Sequence, residues 1–586
     1  MMAMMLSPLA FAWMAGFLCG ALIGWNLAEF TPVPMLPAAL LAGDASYLPG
    51  SPMGLIHAKT VSAITQLIAL LMKIGWSDNA VIRTIYAVQA GLLASGSVLV
   101  VFGFCRRAFA SLAASVLFVA MLPFCGKFGY SDYIMLSLSP STYGMVGHAL
   151  ILYVVGLLAI GRSGPALFGL GVLLASHPVL GAWCALALVL ALLPERHRGT
   201  TAALLPLLPW GVAGGALVLL SFLTRPGAPE ADMGINAAEA IRYRDAFIAL
   251  WDYHRNVDLS PLRGMAVVQA LALAGLGLVM LRLGGEGGHG LGPRRALRII
   301  VLMAVAGAAS FTLYHFARPL FPTVVTALLM PSRFLNIPLL LTFPLVAAVM
   351  LSRSGNPLVW GMAGIMAAVL AIAPLENAST LEPVAGVVLI LAASASVATR
   401  WGQLDLLTRM PWPTKPWSAA GSMLAMLGVV TVVGGVTTAI LHKPLVVEDP
   451  VVDKVRALVS PPVLFSSRYS QLAYWRLFPR HAPALDVDSL DYITYVPEAA
   501  GEISRMLADV YGIDYFNPPY RFLPAVHMDE HVRERWERFS PQDWRFLADN
   551  YGFHTVVTLH PWLLSIPRKL SYRMGQHTLY VYQIVR

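Results

Sequence analysis

GHALILYVVGLLAIGRSGPALFGLGVLLASHPVLGAWCALALVLALL, residues 147–193, contains three apolar runs, interrupted first at Gly161-Arg162 and then at His177-Pro178. An α-helix rises 1.5 Å per residue, so about 20 apolar residues cross a hydrocarbon core. The first and last runs approach that length. The middle one is short, and a proline cannot continue a helix through its own position, so it pairs with the third across Ser176-His177-Pro178.

The same texture extends in both directions. Apolar runs fall at 5–29, 86–104, 108–125, 143–161, 165–176, 178–194, 201–222, 264–284, 298–316, 335–352, 357–375, 382–398 and 418–440. With 57% hydrophobic and 12% charged residues and a mean hydropathy of +0.68, the composition is that of a polytopic membrane protein. The net charge of +9 does not indicate nucleic acid, because the basic residues lie between apolar runs instead of clustering on one polar domain. Cys19, Cys105, Cys125 and Cys184 fall in or beside those runs and form neither a disulfide framework nor a zinc spacing. The amino terminus lacks the basic region and cleavage site of a signal peptide and is read as a retained first span.

Counting from a cytoplasmic start places Arg106-Arg107, Arg162, Arg196, Arg198, Arg294-Arg295, Arg298, Arg353, Arg400, Arg409 and Lys415 on the inside, as the positive-inside rule requires. An odd number of spans leaves residues 442–586 outside. That tail is charged and aromatic. VLFSS (463–467), HTVVTL and HTLYVYQIV read as strands, and 499–512 and 540–552 as helices, the second capped by Ser540. LADVYG and LADNYG recur about forty residues apart, suggesting two related helix-strand units. The expected fold is thus a polytopic α-helical membrane protein of about thirteen spans, residues 1–441, with an extracytoplasmic α/β domain at 442–586.

Candidate chemistry lies on the outer face. The first loop, 31–85, carries Asp44 and His57 in LAGDASYLPGSPMGLIHAK, followed by an apolar stretch (61–75) with the spacing of an interfacial helix. A carboxylate near the membrane face is costly unless used or paired, although a turn-capping role is the simpler alternative. CGKFGYSDYIM adds Asp132 and Tyr133, so two acids could share a divalent cation, or one could act as base while the other orients a hydroxyl. His177, at the His-Pro break, either lines a cavity or fills a structural role. Arg242, Arg244 and Arg255 in one outer loop, and Arg318 and Arg333 in another, are cations that topology does not require; phosphate capture explains them, as does a solvated helix with i,i+4 pairing. No Walker, dinucleotide, zincin or nucleophile-elbow motif is present.

This layout resembles the GT-C superfamily of membrane glycosyltransferases, in particular bacterial members that use polyprenyl-phosphate sugars. The features that carry it are a first span, an outer loop with an acid near its start, an interfacial helix leading into LLMKIGWSDNAVIRTIYA, a second span ending at Arg106-Arg107, about thirteen spans and an outer carboxyl-terminal domain. The resemblance implies that Asp44 is the catalytic base of an inverting transfer from a polyprenyl-phosphate-linked sugar to a glycan, lipid or protein acceptor, in the inner membrane of a bacterial cell envelope. Arg333, Arg318, Arg242, Arg244 and Arg255 would bind the lipid phosphate. Asp132 is the acceptor or metal candidate, and His177, His57 and Tyr133 are cavity or structural candidates. Many members pair the loop acid, whereas Ala45 and Ser46 follow Asp44 here, so no cofactor is firmly implied and a divalent cation stays open. A transporter or flippase of lipid-linked saccharide, and an assembly subunit without catalysis, are the rival expectations.

Overall fold

The structure, a computed structural model, describes residues 7–30, 34–122, 143–192, 205–225, 235–252, 261–283, 291–317, 331–351, 445–447, 452, 455–456, 459–521, 528–574 and 577–585. The apolar helices among these are α1 (Pro8–Leu27), α5 (Asp78–Cys105), α6 (Ala108–Met121), α7 (Tyr143–Ala159), α8 (Ser163–Ser176), α9 (Pro178–Leu192), α10 (Leu208–Leu223), α12 (Pro261–Leu283), α13 (Leu291–Ala317) and α14 (Pro331–Leu351). They occupy ten of the thirteen expected runs. The runs at 357–375, 382–398 and 418–440 lie outside the described residues.

By length and hydropathy, Pro8–Leu27, Asp78–Cys105, Leu205–Leu223 and Leu291–Phe316 are each able to cross a membrane. A further candidate is the pair α3 (Pro52–Lys59) and α4 (Ala63–Lys73), bent by 104° at the break between them. The chain is a mostly helical protein with the apolar helices of a membrane-embedded bundle and a small sheet near its carboxyl end.

Close packing in the bundle depends on small residues. Gly20 and Gly24 of α1 lie against the backbone of α5, where an added Cβ would stand 2.4 Å from the Ala90 carbonyl oxygen and 2.3 Å from that of Tyr86. Helices in lipid gain little from hydrophobicity alone, so contact this close lets dispersion do the work.

The two ends of α5 differ in chemistry. At its carboxyl end, Arg106 takes a left-handed conformation (φ 57°). Near that end Gly103 packs on Ala159, Gly292 packs on Gly161, Arg295 Nη1 donates to Ser163 Oγ at 2.8 Å, and Arg298 Nη1 donates to the Ala191 carbonyl at 3.2 Å. The expected inside arginines that are described therefore gather at one end of the bundle. At the other end of α5, about 40 Å away for 28 helical residues, Asn79 Oδ1 accepts from the Val446 N–H at 3.1 Å, where the carboxyl-terminal domain begins.

That domain contains a four-stranded sheet in the order β1-β2-β4-β3: β1 (Val463–Phe465), β2 (Thr555–Thr558), β3 (Arg568–Met574) and β4 (His577–Gln583). β1 and β2 are parallel, and the other pairs are antiparallel. Around the sheet lie α15 (Arg468–Trp475), α16 (Ala500–Met506, continued by a wider turn through Tyr511), α17 (Met528–Arg538) and α18 (Pro541–Tyr551). Ser540 caps α18 reciprocally with Asp543, and Gly552 closes it at φ 73°, as the sequence implies. Gly512 closes the wider turn in the same left-handed way, at φ 68°. A strand follows Gly552, but turns follow Gly512, so LADVYG and LADNYG repeat a helix ending and not a helix-strand unit. The two endings touch through Tyr551 Oη, which donates to Asp509 Oδ2 at 2.6 Å.

The core of this domain is not built from its own segment alone. Met53, Leu55 and Ile56 of α3 join Leu464, Val556, Ile503 and Trp536 in one buried cluster. Phe247 of α11 (Ala237–Leu250) and Trp251 complete it, with Trp251 Nε1 donating to the Tyr515 carbonyl at 2.8 Å. Leu36 of α2 (Met35–Ala42) packs into a second cluster with Phe465, Tyr474 and Val581. Two loops between apolar helices thus supply part of the hydrophobic interior of the carboxyl-terminal domain.

Candidate functional site

Asp44 stands where α2 ends. Gly43 turns the chain at φ 85°, and the Asp44 N–H donates to the Ala39 carbonyl at 2.9 Å, which closes the helix and sends the side chain toward the carboxyl-terminal domain. There its Oδ2 meets Nη1 of Arg480. The same guanidinium reaches Asp78 Oδ1 through Nε at 2.9 Å. Asp78 opens α5 behind the Ser77 cap, a position at which a helix favours an anion. One arginine therefore bridges two carboxylates, one from each end of the first loop. The side chains are 38% (Asp44), 27% (Arg480) and 19% (Asp78) exposed, so solvent reaches the trio from the Asp44 side. Among the described residues Asp44 Oδ1 carries no hydrogen bond, and neither does Arg480 Nη2.

A second, buried layer joins the same loop to the same domain. His57 Nε2 approaches Asp486 Oδ2 at 3.5 Å, a Coulombic contact longer than a directed hydrogen bond, with both side chains almost wholly enclosed. Tyr47 stacks on the imidazole at 5.8 Å and 15°. Asp486 also accepts from Gln471 Nε2 (2.7 Å), from the Asp488 N–H (3.1 Å) and from Ser489 Oγ. Burial pushes the Asp486 carboxyl up, but the imidazole and the Ser489 and Gln471 donors outweigh it, leaving the carboxyl below its ordinary value. Asp488 goes the other way. Burial raises it to about 6, against the pull of Arg468 and with help from the Asp486 charge.

The remaining sequence candidates scatter. Arg242 of α11 lies 4.5 Å from the Phe516 ring centroid, and Arg244 contacts Asp245 at 3.4 Å; both stand on a helix that packs against the carboxyl-terminal domain. His177 separates α8 from α9, and its Nδ1 accepts from the Leu180 N–H at 3.3 Å, so it caps α9. Arg333 falls in the first turn of α14. Asp132, Tyr133, Arg255 and Arg318 lie outside the described residues. Among the described residues no three His, Cys, Asp or Glu side chains converge as metal ligands, and the described acid beside Asp44 is Asp78, with Arg480 between them.

Arg480, Asp78 and Asp486 escaped the sequence reading. Asp78 carried a signal, since Ser77-Asp78 before an apolar run marks a helix start, but nothing local in FPRHAP marks Arg480 as the partner of an acid 436 positions earlier.

No protein-family model matches the chain, and no curated protein matches it either.

Proposed function

We propose that the protein is a membrane glycosyltransferase of the GT-C type, which moves a sugar from a polyprenyl-phosphate donor to a glycan, lipid or protein acceptor on the outer face of a bacterial inner membrane. The observation that carries this reading is the setting of Asp44. It is a solvent-reachable carboxylate at the membrane end of the first loop, with Oδ1 open and a guanidinium beside it. Base and phosphate binder are the two groups that inverting transfer from a lipid phosphate needs. Asp44 takes the proton of the acceptor hydroxyl as its oxygen attacks the anomeric carbon. The carbon–oxygen bond to phosphate breaks, and the phosphate keeps the electron pair, so it needs no acid to protonate it. One carboxylate is enough, unlike the paired acids of glycosidases.

Sidedness supports the same reading. The arginine-rich end of the bundle lies at the far end of α5 from the Asp44 trio, as expected if the arginines face the cytoplasm and the carboxyl-terminal domain faces out.

The ion pair itself favours a second reading, an assembly subunit without catalysis in which Asp44 and Arg480 simply clasp the domain to the bundle. Reconstituted protein supplied with a panel of polyprenyl-phosphate sugars and candidate acceptors separates the two. Release of free polyprenyl phosphate with a new glycoside is the expected result. Donor left intact across the panel would favour the assembly reading, and donor moved across the bilayer unchanged would favour a flippase.

A further inference from the structure

We infer that Arg480, contributed by the carboxyl-terminal domain, receives the phosphate ester of the lipid donor, and that Asp78 is the positioning residue that keeps its guanidinium beside Asp44. The inference rests on the glycosyl-transfer reading above and assigns the phosphate to a residue outside the five loop arginines first considered.

A guanidinium offers five N–H donors in a planar fork suited to carboxylate or phosphate. Here Nε goes to Asp78 and one Nη1 hydrogen to Asp44, which leaves the Nη2 edge without a protein partner among the described residues. The two carboxylates hold it unequally. Asp78 is set in the first turn of a 28-residue helix and is the more enclosed, whereas Asp44 follows a left-handed glycine in a short exposed turn. An arriving phosphate therefore exchanges with Asp44, the softer partner, while Asp78 keeps Nε. Arg456, near enough to act electrostatically on Asp78 and His481, offsets the second carboxylate, so the pocket is not closed to an anion by net charge.

This exchange couples binding to reactivity. Without donor, Asp44 is held by Arg480. With donor, the phosphate occupies the guanidinium and the carboxylate is released toward the acceptor hydroxyl. In the transfer step the acceptor oxygen bonds to the anomeric carbon, the carbon–oxygen bond to phosphate breaks with its electron pair on the phosphate at Arg480, and the hydroxyl proton goes to Asp44.

The test measures binding of farnesyl phosphate, a short isoprenoid phosphate, to the full-length protein in zwitterionic nanodiscs, with farnesol and inorganic phosphate as comparison ligands. A charge-assisted pair of hydrogen bonds predicts that Arg480→Ala weakens farnesyl phosphate binding by about tenfold or more and leaves farnesol binding unchanged. Arg480→Lys falls between, because it keeps the charge and loses the fork. Asp44→Asn binds farnesyl phosphate more tightly than wild type, since a competing anion has been removed; a merely structural role for the pair would not produce that gain. The inference is overturned if wild type does not bind farnesyl phosphate, if Arg480→Ala binds it unchanged, or if Asp44→Asn weakens it. Inorganic phosphate competing as well as the isoprenoid phosphate would assign the site to free phosphate and overturn the donor assignment, and so would anionic phospholipid displacing it. Arg480-dependent binding without sugar transfer from any donor would sink the transferase reading alone, while transfer with Arg480-independent binding would sink this inference alone.

Discussion

Arg480 and Asp44, 436 positions apart in sequence, form an ion pair that joins the carboxyl-terminal domain to the first loop of the bundle. Asp78 shares the same guanidinium, so the bundle holds that arginine by two acids at opposite ends of one loop. The domain and the loops consequently form one structural unit, and several measurements follow from how it is held.

The buried layer gives the first. Asp486 is an enclosed carboxylate that accepts from Gln471 Nε2, the Asp488 N–H and Ser489 Oγ, and truncating it leaves those donors without their partner, at a cost of about 1–3 kcal/mol for each that stays buried and unsatisfied. Asp486→Ala should destabilise the carboxyl-terminal domain by that order, measured by chemical unfolding of the full-length protein with tryptophan fluorescence. Because the folded-state carboxyl sits below its ordinary value, its contribution is present above the unfolded value near 3.9 and is lost as pH falls through the folded one. Equal stability of wild type and variant at neutral pH would contradict a structural role for the buried carboxylate and its donors.

Two other groups tilt the acid response in opposite directions. Burial, aided by Arg456, pushes His481 down to about 4 while its Nδ1 meets Tyr474 Oη at 2.8 Å. The unfolded chain then binds the proton first, so stability drops as pH falls from about 6.5 toward 4. Asp488, raised to about 6, binds its proton more readily when folded, so its stabilising contribution is full below about 3.9 and is lost as pH rises through 6. The midpoint at pH 4.5 should therefore fall further below that at pH 7.5 in Asp488→Asn than in wild type, whereas in His481→Phe the midpoint at pH 4.5 should rise relative to that at pH 7.5. The reverse shifts would refute both assignments.

Trp251 is the largest side chain that an inter-helix loop places in the domain core, stacked on Tyr515 at 5.5 Å and 25°. Its truncation to alanine loses that packing and a buried hydrogen bond, for about 3–5 kcal/mol. Limited proteolysis should cleave Trp251→Ala near the start of the carboxyl-terminal domain faster than wild type. Unchanged cleavage would mean that α11 does not anchor the domain.

Within the bundle, Gly20→Leu has no room against the Ala90 backbone. Overpacking of this kind costs about 1–3 kcal/mol, and here the obstacle is main chain and cannot rotate away. A lower unfolding temperature in detergent is expected, with Ala15→Leu, a partly buried position beside the same seam, affected less.

Local chemistry made much of this fold legible. Apolar run lengths located the ten described helices of the bundle, and Ser540 with Gly552 marked both ends of α18. α4 ends at Lys73, inside the stretch expected to lie along the interface. Arg568, Lys569 and Arg573 give the edge strand β3 the look of a loop, and α17 lies in a highly charged segment where, among its described side chains, Val532 and Trp536 are the buried ones. Asp44 and His57 were visible as an acid and a histidine in a polar gap. Their partners were not, because Arg480 and Asp486 become neighbours only when the domain folds onto the loop, and residue spacing carries no record of contacts that distant.

If Asp44 is the proposed base and more than a clasp, the rate of sugar transfer must collapse in Asp44→Asn. The amide keeps the size of the side chain and can still accept a hydrogen bond from Arg480, but it cannot take a proton. With a donor that wild type uses, transfer should fall by about 10²–10⁴-fold while the domain stays docked, as judged by unchanged proteolysis. Transfer at the wild-type rate by a folded Asp44→Asn protein would contradict the account.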